Sequence, residues 1–229
     1  ILSLYPESER KHVVSIQDRY GTVVHAATQS DYFESLETVL RVYPESERLQ
    51  AVCMPDHYGR TALHHATNSR KIECIKYLLT LFPESERTHV ADVRDRGGWT
   101  VLHCAARSGK LEVIQTILAL YPESHLLSAL NMTNECEESV LHCAVDSNSI
   151  ECIKIVLSHY PESERLPAVR MTDELGWTAL HCAARSGNLE SIDTILAVYP
   201  ESERLQALNM TTHKGETVLN LVVHSSNIE

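Results

Sequence analysis

Histidine and cysteine stand side by side three times in this sequence, as His103-Cys104, His142-Cys143 and His181-Cys182. A thiolate beside an imidazole can bind zinc or act as a nucleophile, so these pairs are where chemistry is sought first. Their spacing argues against both. Each pair follows the last by 39 residues, which puts them at equivalent places in successive structural units. Neighbouring helices pack about 8–10 Å apart, whereas zinc needs several ligands at about 2.0–2.3 Å. The same separation exceeds the roughly 7 Å between Cα atoms that a disulfide can span. Adjacent residues of one helix do not face each other either.

A residue that recurs once per unit is architecture, while an active site is a unique constellation. The residues that do not recur include no nucleophile with a base and an orienting group at recognisable spacing. They include no glycine-rich phosphate loop and no Cys-x-x-Cys. The sequence therefore predicts no catalytic residues, no metal and no cofactor, and the cysteines read as small buried apolar groups.

The elements that hold these residues are set by a repeat. An aromatic–Pro–Glu–Ser block begins at Tyr5, Tyr43, Phe82, Tyr121, Tyr160 and Tyr199, with steps of 38 and then 39 residues. A His falls at 25, 64, 103, 142 and 181, with Asn220 in the sixth place. A Glu follows each by nine residues, at 34, 73, 112, 151, 190 and 229. Three markers in register define about five full units with partial units at both ends. Gly98-Trp99-Thr100 returns as Gly176-Trp177-Thr178, a step of 78 that marks a duplicated pair of units. The whole chain, 1–229, reads as one repeat domain with partial units at both ends; either capping units lie outside this segment or frayed ends were left out of it.

Residues 173–209 show the plan of one unit. Asp173-Glu174-Leu175-Gly176 has turn composition. Thr178 reads as the N-cap of a short helix ending at Ser186, and Gly187 as its left-handed cap. Leu189, Ile192, Ile195 and Leu196 form the apolar stripe of a second helix over Leu189–Val198. Pro200 suits a first helical position, and Glu201 and Glu203 suit the positive end of a helix dipole, so a short third helix is predicted. No run reads as a strand. The Pro-Glu-Ser-Glu-Arg block is also open to reading as a linear recognition or phosphorylation motif. Six copies at fixed phase favour a helix start with solvated charge; the one clear exception is Pro122-Glu123-Ser124-His125-Leu126-Leu127, where both Glu and Arg are lost.

Asp-x-x-Gly-x-Thr-x-Leu-His-x-Ala at 56–66, 95–105 and 173–183, with the order turn, short helix, longer helix, resembles the ankyrin repeat. The resemblance implies an all-α repeat solenoid, a His that hydrogen-bonds the turn backbone, and binding of another protein. Two departures stand out. Ala62, Val101, Val140 and Ala179 occupy the usual Pro position. The unit also exceeds the usual length of about 33 residues; the excess is the Pro-Glu-Ser-Glu-Arg block. That puts the usual hairpin fingers in doubt and predicts an extra short third helix per repeat. Long units of this kind are similar to those of secreted ankyrin effectors of intracellular bacteria, which implies action on a host protein in the host cytoplasm.

Partner-specific residues are sought where equivalent positions differ. Four residues before each His stand Arg60, Trp99, Glu138, Trp177 and Glu216. A Trp there is either a lid on the neighbouring unit or an exposed interface anchor. Four residues after three successive His stand Arg107, Asp146 and Arg185, which alternate in charge and form either an inter-repeat ion ladder or a recognition face. Between the two Trp units the turn Asn134-Glu135-Cys136-Glu137-Glu138 has lost its Gly and gained three acids. The candidate surface is Trp99, Arg107, Glu135, Glu138, Asp146, Trp177 and Arg185, suited to a helix or extended segment carrying a basic residue.

The charge balance of 20 basic against 31 acidic residues disfavours nucleic acid and anionic membranes, which need clustered Lys and Arg. No apolar run reaches the roughly 18 residues of a membrane span. Seven cysteines, an odd number, point to free thiols in a reducing, cytoplasmic setting. The sequence leaves oligomeric state open. Two other functions stay open: a substrate-recognition or scaffold segment of a larger enzyme whose catalytic domain lies elsewhere, and a structural spacer.

Overall fold

The structure, a computed structural model, describes residues 6–226. Tyr5 and Glu229, the outermost copies of two repeat markers, lie outside the described residues. Helices account for nearly all the regular structure, and among the described residues no strand forms. The helices in chain order are α1 (Glu7–Ser15), α2 (Val23–Gln29), α3 (Phe33–Val42), α4 (Glu45–Cys53), α5 (Ala62–Asn68), α6 (Ile72–Thr80) and α7 (Glu84–Ala91). They continue as α8 (Val101–Arg107), α9 (Leu111–Leu118), α10 (Glu123–Leu130), α11 (Val140–Asp146), α12 (Ile150–Ser158) and α13 (Glu162–Arg170). The last four are α14 (Ala179–Ser186), α15 (Leu189–Leu196), α16 (Glu201–Leu208) and α17 (Val218–Ser226). The chain divides into two compact units, Ile1–Val101 and Leu102–Glu229, with the boundary one residue into α8.

Within the first unit the short first helices α2 and α5 pack together, and α3 packs on α6. Within the second, α11, α14 and α17 stack in succession, and α12 packs on both α9 and α15. Small side chains permit the close approach: Ala179, Cys182, Ala183 and Ala184 of α14 are all buried. Leu141, Ile153, Leu180 and Ile195 are sealed from water. Each contributes roughly 1.5–3 kcal/mol by leaving solvent.

Local signals place the helix ends. Thr178 caps α14, and Gly187 ends it at φ 69°. The predicted second helix stops two residues early, at Leu196. Its stripe is also displaced. Leu189 stands 67% exposed, while Ile192, Ile195 and the small Ser191 turn inward. The Ser191 hydroxyl is buried without a hydrogen-bond partner.

Every predicted third helix in the described chain forms, but proline takes a different place from the one expected. Pro44, Pro83, Pro161 and Pro200 are N-caps with ψ near 145°, not first helical residues. The cap carbonyl accepts from the residue three on, as in Glu203 N–H to Pro200 O at 2.9 Å. The Arg of the block ties the helix back to the preceding aromatic residue. Arg165 Nε donates to Tyr160 O at 3.2 Å, and Arg204 Nε to Tyr199 O at 3.3 Å. The tyrosine in turn reaches the third helix before it: Tyr160 Oη donates to Leu130 O, and Tyr199 Oη to Val169 O. Tyr-Pro-Glu-Ser-Glu-Arg is thus a fastening as well as a helix start.

Candidate partner-binding site

Each turn is built on an acceptor side chain. Asp173 Oδ1 accepts from the backbone N–H of Leu175 and Trp177, both at 2.8 Å. Asp56 and Asp95 do the same in the first unit, and Asn134 in the second. Successive turns are joined by single backbone bonds, Arg96 N–H to Tyr58 O in the first unit and Glu174 N–H to Cys136 O in the second. The long unit therefore keeps small hairpin turns, closed by isolated bridges such as Thr172 to Thr178. Gly59, Gly98 and Gly176 take the left-handed position of these turns, but Glu137 occupies it at φ 60° in the acidic turn.

The repeated His is a cap and a bridge. In α2, α5, α11 and α14 its Nδ1 accepts the backbone N–H of the N-cap residue, as in Thr22 N–H to His25 at 3.0 Å. Its Nε2 then donates to a carbonyl of the next turn: His25 to Arg60, His64 to Trp99, and His142 to Trp177, at 3.1–3.2 Å. This is a capping box with His in the place usually taken by Glu or Gln. Both ring nitrogens are engaged as a neutral imidazole. Burial lowers the pKa of His25, His64, His142 and His181 and outweighs the bonds that would raise it.

The paired cysteines Cys104, Cys143 and Cys182 are buried, and all seven cysteines are free. Burial raises the Cys143 and Cys182 thiols above their ordinary range, so neither is a ready nucleophile. Cys53 and Cys136 correct the sequence reading, since both are exposed. Among the described residues, no group of three or more His, Cys, Asp and Glu could hold a metal ion.

The structure links five of the seven candidate residues in the second unit. The Asp146 carboxylate, with only 11% of its side chain exposed, takes Arg185 at 2.9 Å and Arg107 at 4.0 Å. Arg107 also lies 3.8 Å from Glu138. The Arg185 guanidinium sits 4.9 Å from the Trp177 ring centre, within cation–π range. The ion ladder therefore forms, and one end of it stacks on an indole. Glu135 stands exposed on the same acidic turn as Glu138. Trp99 belongs to the first unit, and like Trp177 it is half-buried.

One cluster was not anticipated. In the first unit Asp56 is buried and its Oδ2 accepts from Arg60 Nε at 3.0 Å and His65 Nε2 at 2.8 Å. The other His65 nitrogen meets Gln29 Nε2 at 2.5 Å, and its ring lies edge-on to His25 at 5.0 Å. Burial would raise the Asp56 pKa, but the Arg60 and Tyr58 N–H groups, His65 and the Arg60 side chain together bring it down to about 2. The sequence signal was present: His65 stands where Cys104, Cys143 and Cys182 stand in other units. An Asp–His pair suggests base catalysis, yet both imidazole nitrogens are already paired to protein groups. The arrangement is a buried brace.

A family model described as ankyrin repeats (3 copies) matches residues 24–126 and 124–204. The chain belongs to the ankyrin-repeat family. No curated protein is similar enough to the chain to be matched. Ankyrin repeats generally mediate protein–protein interaction, and their fold is typically non-catalytic. Among the described residues, no helix of this ankyrin-repeat protein is long and apolar enough to cross a membrane.

Proposed function

We propose that this chain is a non-catalytic protein-binding module whose second unit reads a basic segment of a partner through Glu135, Glu138, Arg107, Asp146, Arg185 and Trp177. One observation carries the reading. Side chains that differ between repeats are joined there in one network, Glu138–Arg107–Asp146–Arg185–Trp177. Architecture demands none of them, because the other units are built without them. The two guanidinium groups of these pairs are about half exposed, which keeps the stabilisation from each pair modest, about 1 kcal/mol, so stability alone is a weak reason for the set. The network holds the indole and both guanidinium groups in fixed positions, which lowers the ordering cost of binding. The adjoining turn supplies Glu135 and Glu137 for a cationic side chain. Trp99 is proposed separately as a contact of the first unit.

The acidic balance, −11 overall, supports a basic protein segment over nucleic acid. The likeness to secreted effectors would place the partner in a host cytoplasm, and it rests on the length of the unit alone.

The test is affinity capture from eukaryotic cell lysate, with wild type beside Glu135→Lys/Glu138→Lys and Trp177→Ala. A partner retained by wild type should be lost from both variants and released as salt rises from 0.05 to about 0.5 M, where screening shortens to a few ångströms. Retention by the charge-reversed variant at wild-type level would contradict the proposal.

A further inference from the structure

The first unit holds a cavity of about 250 Å3, open to solvent on one side, among the ends of α4, α6 and α7 and the start of α5. Val52, Leu63, Phe82 and Val90 give it buried apolar walls, and Cys53 and His89 are its exposed lining residues. Its position follows from one departure in the repeat. Tyr43, Tyr160 and Tyr199 each donate a hydroxyl to a carbonyl 29 or 30 residues earlier, at Val14, Leu130 and Val169. Phe82 is the one member of the aromatic–Pro–Glu–Ser series without that hydroxyl. Thirty residues before it stands Val52, and Val52 and Phe82 both line the cavity. The cavity therefore opens where three other units place a tyrosine bond. Cys53, the next residue, is a second departure, replacing Ser15, Asp92, Asn131, Arg170 and Asn209 of the other units.

The lining contains no Asp, Glu, Lys or Arg. A charged ligand would lose its water there and gain no countercharge. Engineered apolar cavities of about 150 Å3 stay dry and take up benzene, and this one is larger. We propose that it is a binding site for a small uncharged aromatic molecule about the size of indole. The ring would rest against Phe82 and Leu63, with the Cys53 thiol and the His89 imidazole at the entrance. This site is separate from the partner-binding face and stands or falls independently of it.

The probe is indole, and the readout is the rate at which iodoacetamide alkylates Cys53, followed by mass spectrometry on the full chain. Exposed Cys136, in the second unit, is the internal control. Saturating indole should slow alkylation of Cys53 about tenfold by mass action and leave Cys136 unchanged. Phe82→Tyr, which restores the residue of the other units, should abolish the protection. Val90→Phe should do the same by filling the space from another wall, so a folding defect in either variant leaves the other to decide. Indole-3-acetate, the same ring with a carboxylate, should not protect. No protection of Cys53 by indole would overturn the proposal, as would equal protection in both variants or by the charged analogue.

Discussion

At the scale of single residues, the acidic turn holds the clearest conflict between sequence and backbone. Glu137 sits at φ 60°, where Gly59, Gly98 and Gly176 stand in the other units. A side chain in that region costs about 1–2 kcal/mol. Glu137→Gly should therefore raise stability by about 1 kcal/mol, partly offset by the greater freedom of glycine in the unfolded chain. A denaturant midpoint moved upward at unchanged slope would show it; an unchanged or lower midpoint would mean that the Glu137 side chain gains back what the backbone loses. The cost is tolerated at the turn where the charged side chains of the proposed binding face gather. The sequence revealed that turn through its missing Gly and its three acids. It did not reveal the Asp56–His65 brace, because that contact joins a turn to the second His of a His64-His65 pair. Periodicity marks only the first.

Helices and caps form the next scale. Thr178 and Gly187 bound α14 as their types require, and the Pro-Glu-Ser block, five of whose six copies continue Glu-Arg, folds as a helix wherever it is described. What periodicity could not give was which apolar side chain faces inward at the first residue of a helix, and Leu189 faces solvent. Nor could it give the use of Arg as a fastening, since a guanidinium on a helix reads as solvated charge until its carbonyl partner is known.

The His capping boxes have a consequence in pH. His25, His64, His142 and His181 have folded pKa values below the ordinary 6.5. Below that value the unfolded chain binds more protons than the native one, so stability must fall with falling pH. It should be complete above pH 6.5 and decline from there until the lowered folded values are passed. Asp56, held near 2 against an ordinary 3.8, adds a second loss only below pH 3.8. Thermal midpoints should hold from pH 7.5 to about 6.5 and drop from there to about 5, and His142→Gln should flatten the slope. A midpoint independent of pH over this range would mean that the imidazoles take up protons as readily in the folded chain as in the unfolded one, contrary to their caps.

For the whole molecule, the repeat supplies scaffold, and the proposed function rests on the departures from it. Equivalent His and Cys residues serve helix ends and cores, which is why the candidate chemistry of the sequence turned out to be architecture. Charged and aromatic side chains that differ between units instead converge at Asp146. Ankyrin repeats generally bind protein, and the proposed basic character of the partner rests on these side chains. Trp177 and Arg185 were legible as single positions. Their stacking was not, because it joins a turn to a helix end eight residues away along the chain.

The measurement that tests this account most directly is hydrogen exchange on the second unit, with and without the protein captured by wild type. The account predicts slowed exchange at residues 134–139 and 173–178, the turns carrying Glu135, Glu138 and Trp177, with α10 and α13 unchanged. Protection confined to α10 and α13 would contradict it and move the binding face to the third helices.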